Sequence, residues 1–484
     1  MLKRLSILLM FTLMVSQVLI AQVTTSSMSG SVKGVGGDAL AGATITATHT
    51  PSGTVYTTTS KTNGQFAIPN MRVGGPYRIV VTYVGYQAQT FEDAFLKLAE
   101  DFVVDATLAT TQETLANVVV TTAGRGSILN ANRTGTTTNI GTRQINNLPS
   151  ISRSINDLTR LTPQATSTSQ GSIGGGNYRQ NYITVDGADF NNTFGIGSNL
   201  PAGGSPISLD ALEEISINVT PYDVKQSGFI GSAINAVTRS GTNNFAGSVY
   251  TFWRNQNQQG NKVGYNDPLV RQNLDIKTYG FRLGGPIIKN KLFFFANYET
   301  GTTVQPGQLN VAATSSNPFG SQNPNVSRPL ATELDAISDY LRKNYNYETG
   351  PYQGYDNESE NTRLVGRLDW NISNNHRFNV RYSQVESKSP SFVSTSRSPL
   401  TAFAQSRQSN QALWFKNSNY FQDANFYSLS AELNSTFGKF ANVFRGTYTH
   451  QNDPRSSESA VFPLVDILKD GSPFTTFGYE PFTF

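Results

Sequence analysis

The sequence predicts a mainly β protein: a small N-terminal β-sandwich, an α+β middle segment, then the first strands of a transmembrane β-barrel. Three observations predict it. Only 14% of the 484 residues are charged, against about 25% in soluble globular chains, and aromatic residues reach 11%, with 29 Phe and 21 Tyr but only 3 Trp. From residue 245 onward, apolar and polar residues alternate in runs near the roughly 9–11 residues of a tilted membrane strand. The connections between those runs are long and short by turns, as in membrane barrels. A helical solenoid or coiled coil is excluded, since it would be rich in Ala, Glu, Lys and Leu, and the length suits about three domains of ~150 residues.

The first segment, residues 1–21, reads as a cleaved leader. Residues 1–4 are basic, residues 5–20 are almost wholly apolar, and Ala21 offers a small residue before Gln22, the layout of a secretory signal. The apolar stretch is shorter than the ~20 residues of a membrane span. Lys and Arg number 37 against 33 Asp and Glu, and without Lys3 and Arg4 the balance is 35 against 33. No basic run stands out, so no nucleic-acid partner is expected. The absence of Cys excludes disulfides and thiolate catalysis. His49, His376 and His450 lie far apart and show neither metal-ligand spacing nor a nucleophile partner. No enzymatic activity, cofactor or metal is therefore expected.

Residues 22–108 read as a small β-sandwich. Thr44-Ile45-Thr46-Ala47, Gln65-Phe66-Ala67-Ile68 and Tyr77-Arg78-Ile79-Val80-Val81-Thr82-Tyr83 are short alternating runs, set off by Asn63-Gly64 and Gly85-Tyr86. About 80 residues suffice for one small core. Leu40-Ala41-Gly42-Ala43, Thr62-Asn63-Gly64-Gln65-Phe66 and Tyr83-Val84-Gly85-Tyr86 resemble the carboxypeptidase regulatory-like domain. No His-x-x-Glu zinc pair accompanies it, so an accessory module is expected rather than a peptidase.

Residues 109–138 are a Thr-rich linker with one apolar island, Glu113-Thr114-Leu115-Ala116-Asn117-Val118-Val119-Val120-Thr121-Thr122-Ala123. Three valines in an extended polar context are suited to pair with a sheet edge. The plainer alternative is the first strand of the next domain. The island resembles the TonB box of TonB-dependent outer-membrane receptors. That resemblance implies that Thr114, Leu115, Val118, Val119, Val120 and Thr121 are captured as a strand by the periplasmic protein TonB, together with its inner-membrane energising complex.

Residues 139–243 combine short helices and strands. Ile155, Leu158 and Leu161 share one helical face, with Ser152 or Ser154 as cap and Pro163 as stop. A strand ends at Asp186-Gly187, and residues 208–215 read as a short helix start followed by a strand over 216–220. The glycine cluster at 171–176 lacks the Gly-Lys-Ser/Thr of a phosphate loop. Asp186, Asp189 and Asn191 lack EF-hand spacing, so an Asx turn is expected. The order Leu148-Pro149, Val185-Asp186-Gly187, Leu212-Glu213-Glu214-Ile215 and Asn235-Ala236-Val237-Thr238-Arg239-Ser240-Gly241-Thr242-Asn243 resembles the plug of the same receptors, in the Oar-like branch that carries a regulatory-like domain. On that resemblance, residues 171–192 are expected on the outward-facing ligand side, with Tyr178, Arg179, Tyr182 and Asp189 exposed to ligand.

Residues 244–484 supply the barrel strands, expected at 245–253, 277–286, 291–299, 362–372, 376–386, 426–437 and 439–449. Leu364, Leu368, Trp370 and Ile372 alternate with Arg363, Arg367 and Asp369; Phe378, Val380 and Tyr382 with Arg377 and Arg381; Leu429, Leu433 and Phe437 with Glu432; Phe281 and Leu283 with Arg282. In a barrel the first set faces lipid, and Arg282, Arg363, Arg367, Asp369, Arg377, Arg381 and Glu432 line the lumen. Leu283-Gly284-Gly285-Pro286 and the Phe-rich run at 289–299 again resemble the start of an Oar-like barrel. Seven strands is an odd number, bacterial barrels are even, and barrels of this kind have about 22 strands. The segment is thus expected to be the N-terminal part of a larger barrel, with residues 453–484 as an outer tail and Phe484 as a coincidental terminal aromatic.

The resemblance implies a cell-outer-membrane receptor that imports an external ligand, an oligosaccharide or a peptide, with energy delivered through TonB. The alternative is a surface adhesion or interaction protein that uses the barrel as a mount. The Val118-Val119-Val120 island separates the two, because a mount needs no energy coupling.

Overall fold

The computed structural model describes residues 23–111, 120–122, 136–148, 150, 152–166, 172–191, 206–219, 231–262, 264, 271–393, 407–438 and 440–480. The leader lies outside the described residues. The chain is mainly β, in three successive units.

The first unit contains β1 (Ser26–Gly34), β2 (Thr44–His49), β3 (Thr54–Thr59), β4 (Gln65–Met71), β5 (Gly74–Thr82), β6 (Gln89–Leu96) and β7 (Asp101–Leu108). One sheet runs β4-β1-β7 and the other β3-β2-β5-β6, with β8 (Val120–Thr122) added beside β6. Alternation turns Ile45, Ala47, Phe66, Ile68, Tyr77, Ile79 and Val81 inward, where all are buried. At roughly 1.5–3 kcal/mol for each large apolar side chain fully buried, this core sustains a unit of its own. Gly64 turns at φ +75, and the Val32 carbonyl oxygen lies 2.6 Å from where a Cβ would stand, so the Asn63-Gly64 turn admits only glycine.

The second unit is a five-stranded sheet of order β11-β10-β13-β12-β9, from β9 (Thr137–Gly141), β10 (Tyr182–Val185), β11 (Ala188–Asp189), β12 (Leu212–Asn218) and β13 (Ala233–Thr238). Two short helices, α1 (Thr142–Asn147) and α2 (Ile155–Thr159), precede β10. Ser154 caps α2, its Oγ accepting from the Asn156 amide at 3.1 Å. Ile155 and Leu158 are buried, but Leu161 is 42% exposed. The helix stops at Thr159 and the chain continues in i→i+3 turns, which carry Leu161 off the apolar face. The helix expected over 208–215 is likewise one 3₁₀ turn, Leu209–Ala211. β12 is paired on both sides, to β13 and β9, and these ladders recruit Leu212–Ile215 into the sheet.

The third unit is a curved antiparallel sheet of seven long strands in chain order: β14 (Ala246–Asn255), β15 (Asp275–Ile288), β16 (Leu292–Pro306), β19 (Asp356–Asn371), β20 (His376–Ser391), β21 (Tyr420–Phe437) and β22 (Phe440–Asn452). The turns after β15, β19 and β21 are tight, and the other connections are long. β17 (Val311–Ala313), β18 (Val326–Leu330) and the helix α3 (Ala331–Tyr345) fill one long connection, and β23 (Arg455–Ser456), β24 (Phe462–Lys469) and β25 (Ser472–Tyr479) follow β22. The strands run past the expected bounds mainly on the long-loop side. Two expectations change here. The stretch 300–361 contains a capped 15-residue helix, and within the expected tail β24 and β25 pair as a hairpin. Leu334 and Leu341 of α3 pack with Leu413, Phe415 and Phe477, so helix and hairpin are held by one small outer core.

Candidate functional site: the contact between plug sheet and barrel wall

The plug sheet packs inside the curve of the barrel sheet through a shared apolar core to which the wall contributes Phe295, Val365, Val385 and Phe426. Within that contact sit two ionic clusters of opposite sense. The first centres on Asp186, at the two-residue turn between β10 and β11. Asp186 and Gly187 both have positive φ, +45 and +76, and Val185 pairs with Ala188 across them. Such a turn matches the twist of its strands. It aims the Asp186 carboxylate at the wall. Its Oδ1 accepts from the Thr238 amide at 2.9 Å and its Oδ2 from Thr238 Oγ1 at 2.6 Å. Arg367 Nη1 lies 3.2 Å from Oδ1 and Arg381 Nε 3.1 Å from Oδ2. Arg367 also pairs with Asp369 at 2.8 Å, and Arg381, fully buried, donates to Ser383 and Ser428 at 3.0 and 3.1 Å.

The second cluster reverses the charges. Glu299 on β16 is 1% exposed and pairs with Arg363 of the wall. It also accepts from Ser208 Oγ and Tyr250 Oη, both at 2.9 Å, and lies 3.7 Å from Arg153 of the plug. Arg153 pairs in turn with Asp210, whose carbonyl accepts from Arg282 at 3.4 Å. Buried ions lose several kcal/mol of hydration each and are held only when their hydrogen bonds are complete. Both clusters meet much of that demand across the plug–wall seam. They fix one register of plug against wall through polar groups rather than apolar packing alone.

Of the residues expected in the lumen, Arg363, Arg367, Asp369, Arg381 and Glu432 face the plug side, and Leu364, Leu368, Trp370 and Leu429 on the opposite face are exposed. Glu432 pairs with Arg445 at 2.5 Å. Arg377 lies at the tight-turn end, with its guanidinium 3.8 Å from the Tyr56 ring of the sandwich. Among the plug residues, Tyr178 and Arg179 belong to a 3₁₀ turn, Tyr178–Gln180, that leads into β10 at Tyr182. β10 runs parallel to β13, which ends near the tight turns. Tyr182 therefore stands at the outer end of β10, and Asp186 at the other. Asp189 accepts from the Asn191 amide at 2.8 Å, an Asx turn, and burial raises its carboxyl pKa against the backbone donors Asn191 and Phe190. The described residues 172–191 of the expected ligand segment therefore span both ends of the plug. Of the residues expected to form a TonB box, Thr114, Leu115, Val118 and Val119 lie outside the described residues. Val120 and Thr121 belong to β8, in register beside Thr90 and Phe91 of β6 in a parallel pair.

Sequence reasoning did not find Asp186, Arg153, Asp210 or Glu299 as seam residues. The sequence carried no signal for these pairs, whose members stand 64 positions apart for Glu299 with Arg363 and farther for Asp186 with its arginines. Among the described residues no group of His, Asp and Glu is placed to hold a metal.

Comparison with known proteins locates these units. The outer membrane beta barrel domain family matches residues 237–483, and the carboxypeptidase regulatory-like domain family matches residues 27–109. The TonB-dependent transporter Oar of Myxococcus xanthus is 34% identical over 158 residues, covering 31% of this chain and 14% of that protein. This chain thus spans a small part of the relative's length. Among solved structures, the siderophore receptor PirA from Pseudomonas aeruginosa is similar at 14% identity and a TM-score of 0.41, over 67% of this chain and 42% of that one. The outer membrane transporter YddB from Escherichia coli is similar at 12% identity and a TM-score of 0.45, over 67% and 40%.

Proposed function

This chain belongs to the outer membrane beta barrel domain family and resides in the outer membrane, and from that premise we propose that it is the plug-bearing part of a receptor that imports an external ligand with energy delivered through TonB. The carrying observation is the pair of ionic clusters of opposite sense, Asp186 with Arg367 and Arg381, and Glu299 with Arg363 and Arg153. A mount for surface loops has no use for a separate sheet held in its bore by polar contacts. In this reading the sandwich and the island at 113–123 face the periplasm, the long loops face outward, and a pull on the island loosens the plug.

The test uses strand addition. Capture of the island by TonB draws on backbone hydrogen bonds, so Val119→Pro should cost far more binding than Val119→Ala. Binding of a peptide of residues 110–125 to the TonB C-terminal domain is the measurement. Uptake by cells carrying each variant in the complete receptor, with surface display checked, is the companion assay. Equal binding by both variants would exclude strand addition.

A further inference from the structure

The sandwich does not hang free beneath the barrel. Its contacts fall on the tight-turn side of the wall. At the start of the wall, the Asn243 amide donates to the Pro51 carbonyl at 2.8 Å. At the β19–β20 turn, Asn371 Nδ2 donates to Thr54 Oγ1 at 2.9 Å. Five residues up β21 and β22 from their turn, Thr24 Oγ1 donates to Glu432 at 2.8 Å and accepts from Arg445 at 2.6 Å.

The same unit grips the plug. The Leu98 amide donates to Glu214 Oε1 at 2.9 Å and Asn139 donates to Glu100 at 2.8 Å. Val23, Val73 and Leu98 bury themselves against Val237 of β13. Where sandwich, plug and wall meet, the space left is ≈ 80 Å³, far below the roughly 300 Å³ at which small-molecule pockets begin.

We propose that the regulatory-like sandwich is a clasp: docked across the tight-turn mouth, it fastens the plug to the wall and must lift away before the plug can move or a ligand can leave on that side. The geometry stands without the transporter reading; the purpose of the clasp rests on it. The bridging is the point. A tethered accessory module would need contact with one partner only, whereas this one joins two bodies that have to separate.

These 484 residues contain no cysteine, so, once any cysteine elsewhere in the complete receptor is replaced by serine, an engineered pair is unambiguous. In the complete receptor, Thr54→Cys with Asn371→Cys should form a disulfide on oxidation of isolated outer membranes, while neither single variant does. In planar bilayers, urea that opens the reduced receptor to ion current should open the oxidised form at least about tenfold less often, and reductant should restore opening. Ligand uptake should follow the same pattern. Pro51→Cys with Asn243→Cys is the second pair, should the first not fold. The clasp is overturned if neither pair crosslinks in a folded receptor, or if crosslinked receptor opens in urea as the reduced form does. Should the lock govern opening while the unmodified receptor takes up no ligand, the transport reading fails and the clasp stands.

Discussion

Glu214 shows how one side chain sets the strength of a contact between units. It lies on β12, is 5% exposed, and accepts the Leu98 amide of the sandwich. Burial is the largest influence on its carboxyl and pushes its pKa up to about 8, with Glu213 and Glu100 adding to the rise while the Leu98 amide and Lys97 oppose it. Below about pH 4.3, the ordinary glutamate value, the group is neutral docked or undocked and the contact contributes in full. As pH climbs from there toward 8, the undocked carboxyl ionises while the docked one keeps its proton, so docking weakens across that window and the contribution is gone above it. Glu214→Gln should abolish this dependence and strengthen docking at pH 7 by as much as ~3 kcal/mol. The rate of Thr54–Asn371 cysteine trapping, compared between Gln and Glu forms at each pH, reads it out; parallel profiles would count against the assignment. Asp186 is a different case, a buried carboxylate that faces two arginines across the seam. Asn tolerates its positive φ, so Asp186→Asn removes charge without disturbing the turn. Leaving Arg367 and Arg381 short of a partner should destabilise the plug by ~3–5 kcal/mol, seen as a lower urea midpoint for plug unfolding.

At the scale of elements, legibility followed the periodicity. The seven wall strands were readable because Leu364, Leu368 and Trp370 against Arg363, Arg367 and Asp369 repeat every two residues, and a two-residue period has no helical competitor. The helix α3 was hidden inside a long connection, although Leu334, Ile337 and Leu341 recur at helical spacing and Asn346 supplies the left-handed residue that ends it. The inner sheet was less legible: Leu212 and Ile215 fit a helical turn as well as a strand, and only the ladders to β9 and β13 decide. The wall side of the ionic clusters was legible as the inward-facing Arg363, Arg367 and Arg381, but their partners Asp186 and Glu299 were not, since pairing Asp186 with Arg381 requires the fold, not the spacing. The alternation itself makes a prediction. Leu364 is 37% exposed near the middle of β19 on the lipid face, so Leu364→Arg should cost ~2–4 kcal/mol in folding into lipid vesicles, and a position close to the interface markedly less. Equal penalties at Leu364 and at Ile372, beside the turn, would show that this face does not meet lipid.

For the whole molecule, the three units differ in what each needs from its surroundings. The sandwich encloses its own apolar core, and its grip on the rest is small and partly polar. The plug sheet shares its core with Phe295, Val365, Val385 and Phe426 of the wall, so it is incomplete without them. The wall is an open sheet among the described residues: β14 pairs only with β15, and β22 only with β21. Phe252, Trp253, Phe440, Phe444 and Tyr448 on these outermost strands are all exposed. In lipid each unpaired backbone group at such an edge costs several kcal/mol, and in water the aromatic patches favour association. A polypeptide of residues 1–484 expressed alone should therefore not form a pore. Limited proteolysis in detergent-free buffer should cut the chain beyond about residue 241 and leave a resistant core spanning residues 28–108. That core, made by itself, should unfold cooperatively, as a domain with a complete core does. A heat-resistant, membrane-inserted species at full length would mean that the edges of β14 and β22 are satisfied within this chain, and the expectation of a larger barrel of about 22 strands would fall with it.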